Sequence, residues 1–251
     1  MRRFLLIMAA VFATVSLHAQ KFSLPEGGYD DGVRVLLIGN SFTYFHDCDS
    51  MLIRIGRSQG VKVCLGEYLK GGQTFGQHLN LPATGEAIAA GLYDIAFIQD
   101  YSNNAALYAR DGRKDILRNT RDLKARILQA SPECRIILER TWSYSGNGAG
   151  GFASAEDLDR YLAKGAKALA RKSGLELSPI GDAFNLVRRE RPDVNLFDPD
   201  EKHQSAAGSY LKCCVNWLLL SGEPFSGEVD ACGIDPDTAR YLQNVAERVV
   251  R

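Results

Sequence analysis

The sequence predicts an α/β protein, a single three-layer α/β/α sandwich around a parallel sheet of about five strands. Short apolar runs alternate with helical patterns from one end of the chain to the other, which is the order of β-α-β units. No internal repeat and no linker interrupts this alternation. Ligands of open parallel sheets bind at the carboxyl ends of the strands, so we expect the functional site there.

The strands are predicted from runs of apolar and β-branched residues. The first run, residues 33–38, is almost wholly apolar and ends at Gly39, as in a parallel strand that is buried on both faces. The other four predicted strands are residues 61–69, 95–98, 135–139 and 175–180.

Helical periodicity or helix-capping residues mark the segments between and after the strands. For the helix over residues 155–172, Ser154 is a favourable N-cap and Gly174 a favourable residue at which the helix ends. The predicted helices are residues 51–60, 111–130, 155–172, 182–189, 205–220 and 236–250.

The first nineteen residues are predicted to be a secretory signal peptide. A short basic start precedes an apolar stretch over residues 4–17 and the small Ala19, which predicts cleavage before Gln20. The stretch is shorter than the roughly 20 residues of a membrane-spanning helix, although an uncleaved anchor is the alternative. We therefore expect an exported protein, periplasmic or extracellular, in which residues 20–251 form one domain without stable membrane insertion.

Composition excludes several classes of protein. Among 251 residues, 30 are Lys or Arg and 30 are Asp or Glu, and 45% are hydrophobic. A disordered chain would have fewer apolar residues and a larger net charge, and a nucleic-acid partner would call for a basic excess. No metal-ligand cluster and no cofactor fingerprint is found in the sequence, so we expect neither a metal nor a cofactor.

Six cysteines occur in the chain, and their spacing is not that of a disulfide framework or a zinc site. Cys64 and Cys134 lie in apolar runs and are expected to be buried as small hydrophobic residues. Cys213 and Cys214 are adjacent on a predicted helix and should point in different directions. Whether one of them reaches Cys232 stays open. The remaining cysteine is Cys48.

The strongest local signal is Gly39-Asn40-Ser41-Phe42-Thr43, between the first strand and the helix that follows it. A serine there has its hydroxyl next to a helix amino terminus, where free N–H groups favour negative charge. This suits a nucleophile whose attack creates an oxyanion. The alternative is a serine that only caps the helix.

A serine nucleophile needs a base, and the histidines after the predicted signal peptide are His46, His78 and His203. Only His203 has a carboxylate three residues upstream, Asp200. In a loop this spacing lets the carboxylate hold one imidazole nitrogen while the other faces outward, as in a Ser-His-Asp triad. A solvated loop is the alternative. His46 is expected on the side of a helix and His78 in a polar turn.

Together these two blocks resemble the SGNH hydrolase superfamily, also called GDSL-type esterases and lipases. The run His203-Gln204-Ser205-Ala206-Ala207-Gly208 is similar to the His-x-Ser-x-x-Gly run of that family. Residues 38–44 and 97–102 look like an exported, poorly characterised bacterial branch. The resemblance spans nearly the whole mature chain. It implies a flavodoxin-like fold with Ser41 as nucleophile, His203 as base and Asp200 as the group that orients His203.

The family builds its oxyanion hole from the serine N–H, a glycine N–H and an asparagine side chain. The resemblance therefore implies Ser41 and Gly72, preferred over Gly71, although an ordinary glycine turn is the alternative. The usual Gly-x-Asn-Asp block is missing, and residues 99–104 look more like the Gln-Gly-Glu-Ser-Asn arrangement of a sialate-esterase-like branch. Gln99 is the expected third donor, and Asn103 is the competing choice.

Three aromatic residues, Tyr101, Trp142 and Tyr144, lie just past predicted strand ends. We expect them to bind substrate, because aromatic faces suit sugar rings and acyl chains, with loop packing as the alternative. The glycine-rich residues 146–151 are a candidate lid or a long surface loop.

The sequence thus predicts a serine esterase that cleaves a small-molecule or glycan ester, with acyl (acetyl) groups on carbohydrate as the expected substrate. The alternative is a carbohydrate-binding or surface protein with weak turnover or none, which the altered asparagine block motivates. Acyl transfer would use the same residues and stays open.

Overall fold

The computed structural model describes residues 20–26, 32–146 and 151–251. The six strands of this part are β1 (Gln20–Ser23), β2 (Val33–Gly39), β3 (Val63–Lys70), β4 (Ile95–Ile98), β5 (Arg135–Glu139) and β6 (Glu176–Ser178). They form one sheet in the order β1-β3-β2-β4-β5-β6, in which β1 is antiparallel and the others are parallel. Without β1 this is the 2-1-3-4-5 order of flavodoxin-like sheets. The predicted fold class is confirmed.

Helices cover both faces of the sheet. In the described ranges they are α1 (Ser41–Tyr44), α2 (Cys48–Ser58), α3 (Phe75–His78), α4 (Pro82–Ala89), α5 (Asn104–Asp111), α6 (Lys114–Ala130), α7 (Ala155–Ser173), α8 (Ile180–Glu190), α9 (Ala206–Ser221) and α10 (Pro236–Val250). A 3-10 turn over Phe45–Asp47 joins α1 to α2. None of the helices described is both long and apolar enough to cross a membrane.

The two faces of the central strands are buried against different helices. On β2, Val35 and Leu37 pack with α2, α8, α9 and α10, whereas Leu36 and Ile38 pack with α4, α6 and α7. The unbroken apolar run of this strand follows from burial on both sides. The strand order reverses between β2 and β4, so the loops after these two strands flank the crevice in which such sheets bind ligands.

The structure departs from the predicted elements at several places, and the helices α3, α4 and α5 were not predicted. β1 was not predicted, because a four-residue strand of mixed polarity has no clear alternation. The helix predicted over residues 111–130 corresponds to α6, which begins only at Lys114, because Gly112 ends α5 in the left-handed conformation with φ 67°. The last strand is shorter than predicted, because Pro179 precedes the first turn of α8. The predicted signal peptide, and residues 147–150 of the candidate lid at residues 146–151, lie outside the described residues.

An acidic side chain is buried where β1 joins the sheet. Glu67 on β3 is 5% exposed. Burial raises the pKa of Glu67 to about 7, and the negative charge of Asp49 on α2 adds to this rise. Lys21 on β1 donates to Asp49 at 2.7 Å and to Asp47 at 3.0 Å. Glu67 therefore holds a proton in the folded protein at a pH where the unfolded chain has released it.

Stability should consequently fall as the pH rises from about 5 to about 8. The folded pKa of Glu67 lies above its ordinary value of 4.5, so the unfolded chain binds fewer protons than the native state in this range. The free energy of unfolding therefore decreases as the pH rises. In Glu67→Gln, the decrease in the unfolding free energy over this pH range should be smaller than in the parent protein by about 3 kcal/mol. Urea unfolding at both pH values measures this, and the exposed Glu86→Gln is the control. Equal slopes in Glu67→Gln and the parent protein would contradict the assignment.

Candidate active site

Ser41, His203 and Asp200 form one hydrogen-bonded chain. The Oγ of Ser41 is 2.8 Å from Nε2 of His203, and Nδ1 of the same ring contacts Oδ2 of Asp200. Oδ1 of Asp200 accepts the backbone N–H groups of Lys202 and His203 at 3.0 and 2.9 Å. Partial burial raises the pKa of Asp200, but the hydrogen bonds from the ring and the two N–H groups outweigh this and lower the pKa below its ordinary value. The ionised carboxylate orients the imidazole so that Nε2 faces the serine.

Asn40 holds the turn that presents Ser41. Its Oδ1 accepts the N–H of Phe42 at 3.2 Å, and its Nδ2 donates to the carbonyl groups of Gln73 and Asp100 at 3.0 and 3.3 Å. Asn40 therefore caps α1 and ties the loops after β2, β3 and β4 together. Ser41 is the first residue of α1, where a backbone N–H has no helical acceptor. That N–H is a suitable donor to an oxyanion.

The loop that carries His203 is anchored on both sides of the histidine. Nε1 of Trp142 donates to the carbonyl of Lys202 at 3.1 Å. The N–H of Asp198 donates to the carbonyl of His203 at 2.9 Å. Ser205 then caps α9 by accepting the N–H of Gly208 at 3.2 Å. These bonds fix the backbone around the imidazole before any substrate binds.

Aromatic rings enclose the imidazole of His203. The ring of Phe45 lies parallel to it with centroids 4.2 Å apart, and Phe42 meets it edge-on at 5.5 Å. Trp142 is stacked between Phe42 and Phe184 at 4.4 and 4.3 Å. The stack restricts rotation of the imidazole. An aromatic face also stabilises a cation, which the ring becomes when it takes a proton from serine.

The other two histidines have partners of their own. Nε2 of His46 lies 2.8 and 3.0 Å from the two carboxylate oxygens of Asp198, in the 3-10 turn and not on a helix side. His78 is fully buried, and its ring contacts the Gly39 carbonyl at 2.9 Å and the Thr84 hydroxyl at 3.1 Å. The predicted polar turn is therefore wrong. Burial lowers the pKa of His78 to about 4, so a neutral His78 supports the end of β2.

A buried ion pair lies beneath the nucleophile turn. Nζ of Lys212 on α9 contacts Glu139 at 2.6 Å, and both side chains are at most 2% exposed. The same ammonium group donates to the Phe42 carbonyl at 2.9 Å and to the Thr43 hydroxyl at 3.0 Å. Asn216 donates to the second oxygen of Glu139 at 2.7 Å. The network connects α1, which begins at Ser41, to the end of β5.

Gln99 does not lie where an oxyanion donor is needed. Its Oε1 accepts the Asn40 N–H and the Thr43 hydroxyl, each at 3.2 Å, and its Nε2 contacts the carbonyl of Asp100. The side chain is 1% exposed and stabilises the nucleophile turn through these hydrogen bonds. The expectation that Gln99 faces the substrate is corrected, because both ends of its amide already have partners.

Asn103, the competing choice, retains an uncommitted amide group. In the part of the chain that the structure describes, its buried Oδ1 has no hydrogen-bond partner. Asn103 precedes α5 without capping it through its side chain. It is therefore better suited than Gln99 to donate to a ligand.

The glycine turn after β3 lies beside the nucleophile turn. The bond from Asn40 to the Gln73 carbonyl joins the two turns. Gly72 is exposed and has φ 71°, a backbone conformation that favours glycine. The choice between Gly72 and Gly71 as the second donor remains a prediction.

The three aromatic residues predicted to bind substrate separate into two groups. Tyr101 and Tyr144 are partly exposed, and Nζ of Lys202 lies 5.4 Å from the centroid of each ring. The hydroxyl of Tyr144 is fixed 2.7 Å from that of Ser102. Trp142 is 1% exposed and packs inside the aromatic stack. The prediction that Trp142 contacts substrate is wrong, because the two faces of its ring pack against Phe42 and Phe184.

Comparison with known proteins identifies the architecture. No family model matches the sequence, and no similar sequence was found among curated proteins. Among solved structures, a DUF4886 family protein from Bacteroides uniformis is 20% identical, with a TM-score of 0.71 over 87% of this chain and 94% of its own. A proposed SGNH hydrolase from Slackia heliotrinireducens is 24% identical, with a TM-score of 0.60 over 76% of this chain and 98% of its own. The chain has the SGNH hydrolase fold.

An acetylxylan esterase from Geobacillus stearothermophilus has the same fold. It is 17% identical, with a TM-score of 0.54 over 82% of this chain and 97% of its own. The family resemblance seen in the sequence is thus confirmed at the level of the SGNH fold. Other structures that match this chain bear the names of hydrolases, lipases or esterases.

Sequence reasoning missed several residues that support the site within this SGNH fold. Asn40 lies in the serine block, and its residue type is the signal that could have found its role, since asparagine is a favoured helix cap. Lys212 stands in the otherwise apolar run of α9, and a lone lysine in such a run signals a buried charge that needs a partner. Phe45 and Asp198 gave no signal, because their contacts with His203 and His46 depend on the folded loops.

Proposed function

We propose that this chain is an exported serine esterase that removes acyl groups, such as acetyl, from carbohydrate. The observation that carries the proposal is the unbroken hydrogen-bonded chain from Asp200 through His203 to Oγ of Ser41. Three side chains in this order suit nucleophilic attack on an ester carbonyl. The esterases among the structural neighbours support the same reaction class.

In the proposed reaction, Oγ of Ser41 attacks the ester carbonyl carbon while Nε2 of His203 takes the serine proton. The protonated ring then gives this proton to the leaving alcohol, and an acyl-enzyme remains. Water attacks the acyl-enzyme with His203 again as base. Asp200 holds Nδ1–H throughout and stabilises the imidazolium, and the parallel Phe45 ring adds to that stabilisation.

The oxyanion that forms in both steps needs donors. We assign the backbone N–H of Ser41, the glycine turn at Gly72, and the amide of Asn103 in place of Gln99. Each such donor contributes about 10²–10³-fold in rate in serine hydrolases. The carbohydrate part of the proposal is supported by Tyr101 and Tyr144, whose partly exposed rings lie past the ends of β4 and β5 and suit a sugar face.

Covalent labelling tests the nucleophile directly. A fluorophosphonate probe should label the parent protein at Ser41, and Ser41→Ala should abolish both labelling and hydrolysis of acetyl esters. The serine side chain contributes little to the core, so the variant should unfold within about 0.5 kcal/mol of the parent. Mass spectrometry of the labelled peptide and a panel of acetyl, butyryl and longer chromogenic esters measure the two effects.

The same experiment separates the enzyme from a carbohydrate-binding protein on this fold. Ser205 caps α9 near the histidine loop, so Ser205→Ala is a matched control that should keep the label. A folded parent protein that is neither labelled nor active on any ester of the panel would overturn the proposal and favour a binding role.

A further inference from the structure

Two buried cysteines from distant parts of the chain meet beside the site. Cys48 begins α2 and Cys213 lies on α9, and their sulfur atoms are 3.1 Å apart. Both residues are at most 3% exposed. The Cys213 sulfur is also 2.9 Å from the carbonyl oxygen of Cys48, so the side chain of Cys213 reaches the backbone of Cys48. Of the two adjacent cysteines Cys213 and Cys214, Cys213 thus contacts Cys48. Cys213 is therefore not the residue that would reach Cys232.

The cysteine pair lies at the end of the segment that carries the proposed nucleophile, so a bond between the two sulfur atoms would restrain that segment. The segment from Ser41 to Cys48 carries the proposed nucleophile and the Phe45 ring that lies on His203. Within it, His46 and Asp47 both have φ 53°, a left-handed conformation that persists in such residues only when the surroundings hold it. Lys212 already binds one end of the segment through the Phe42 carbonyl. A covalent bond at Cys213 would hold the other end on the same helix.

We propose that Cys48 and Cys213 are a disulfide site that fastens the nucleophile segment to α9. A disulfide sets the sulfur atoms about 2.05 Å apart, so the pair closes by a movement of about 1 Å. Each thiol loses its proton, the sulfur–sulfur bond forms, and the two electrons reduce a small-molecule or protein disulfide to two thiols. Such oxidants belong to the compartments outside the cytosol, which agrees with the expected export.

Burial determines when the bond forms. Exchange requires a thiolate, and burial together with the neighbouring Cys48 thiol raises the pKa of Cys213 well above its ordinary value. Oxidation should therefore be fast while the chain folds and slow in the folded protein. Once formed, the bond should resist added reductant until the protein unfolds.

Peptide mapping tests the proposal independently of the enzymatic activity. The denatured protein is refolded with oxidised and reduced glutathione, unfolded again, alkylated without reduction, and digested. We expect one cross-linked peptide pair, two hydrogen atoms lighter than its thiol form, that contains Cys48 and the Cys213-Cys214 peptide. The other cysteines should all be alkylated. Full alkylation of all six cysteines would overturn the proposal.

Variants assign the bond within the Cys213-Cys214 peptide and measure its effect. Cys48→Ser and Cys213→Ser should each abolish the cross-link, whereas Cys214→Ser and Cys64→Ser should keep it. Because the closed loop spans most of the chain, complete reduction should lower the Tm of the parent by about 10 °C and leave the Tm of Cys48→Ser unchanged. A cross-link that survives in Cys213→Ser, or an equal shift in both proteins, would contradict the assignment.

Discussion

His203→Ala should lower kcat/KM for an acetyl ester by about 10⁴-fold, and Asp200→Asn by about 10³-fold. Within the part of the chain that the structure describes, the His203 imidazole is the group that contacts Oγ of Ser41, and without it the serine proton has no acceptor there. The asparagine keeps one oxygen, which we expect to accept the two backbone N–H groups that Asp200 binds now. Its NH₂ group then faces Nδ1 and favours the tautomer with a proton on Nε2, where the lone pair is needed. Initial rates over a range of ester concentrations measure both losses.

The control for this experiment is His46→Gln. His46 contacts Asp198 and not Ser41, so its loss should cost less than about tenfold, and only through the position of the loop. Circular dichroism and thermal unfolding of each variant show that the losses are not losses of folding. If His203→Ala kept the parental rate while His46→Gln lost it, His203 would not be the base.

The central strands and the long helices were predictable because their signals are local. The apolar run over residues 33–38 needs burial on both faces wherever it lies. The caps of α7 are also local: Ser154 accepts the Asp157 N–H, and Gly174 takes the left-handed conformation. α10 has its predicted bounds, with Pro236 in its first turn. Elements of three or four residues, such as β1 and α1, carry too few positions for a period to show.

The residues proposed to carry out the reaction could be predicted from the sequence, whereas the side chains that hold them in place were predicted less well. Ser41, Asp200 and His203 could be selected because their short-range motifs and the carboxyl-edge rule place them together. The orientation of the Gln99 amide could not, because it depends on Asn40 and Thr43, more than fifty residues away in the chain. Trp142 follows a strand end as a substrate-binding residue would, and only the packing of Phe42 and Phe184 reveals that it is buried.

The largest loss of stability should come from Lys212→Met. The substitution keeps the length and the apolar stem of the side chain. It leaves the Glu139 carboxylate buried, with the Asn216 amide as the one remaining donor among the described residues. Removing one partner of a buried ion pair costs about 3–5 kcal/mol. The carbonyl of Phe42 and the hydroxyl of Thr43 lose a donor in the same step, so the nucleophile turn should loosen and the rate of ester cleavage should fall as well.

A second substitution separates the unpaired charge from the lost packing. In Lys212→Met combined with Glu139→Gln, the neutral amide can still accept from Asn216, and no buried charge remains unpaired. The double variant should therefore unfold at a higher urea concentration than Lys212→Met alone, although the turn at Phe42 still lacks its donor. Lys164→Met on the exposed side of α7 should change the unfolding free energy by less than about 0.5 kcal/mol. If Lys212→Met were as mild as this control, the ammonium group could not be what neutralises Glu139, and the link between α9 and the nucleophile turn would have to rest on packing alone.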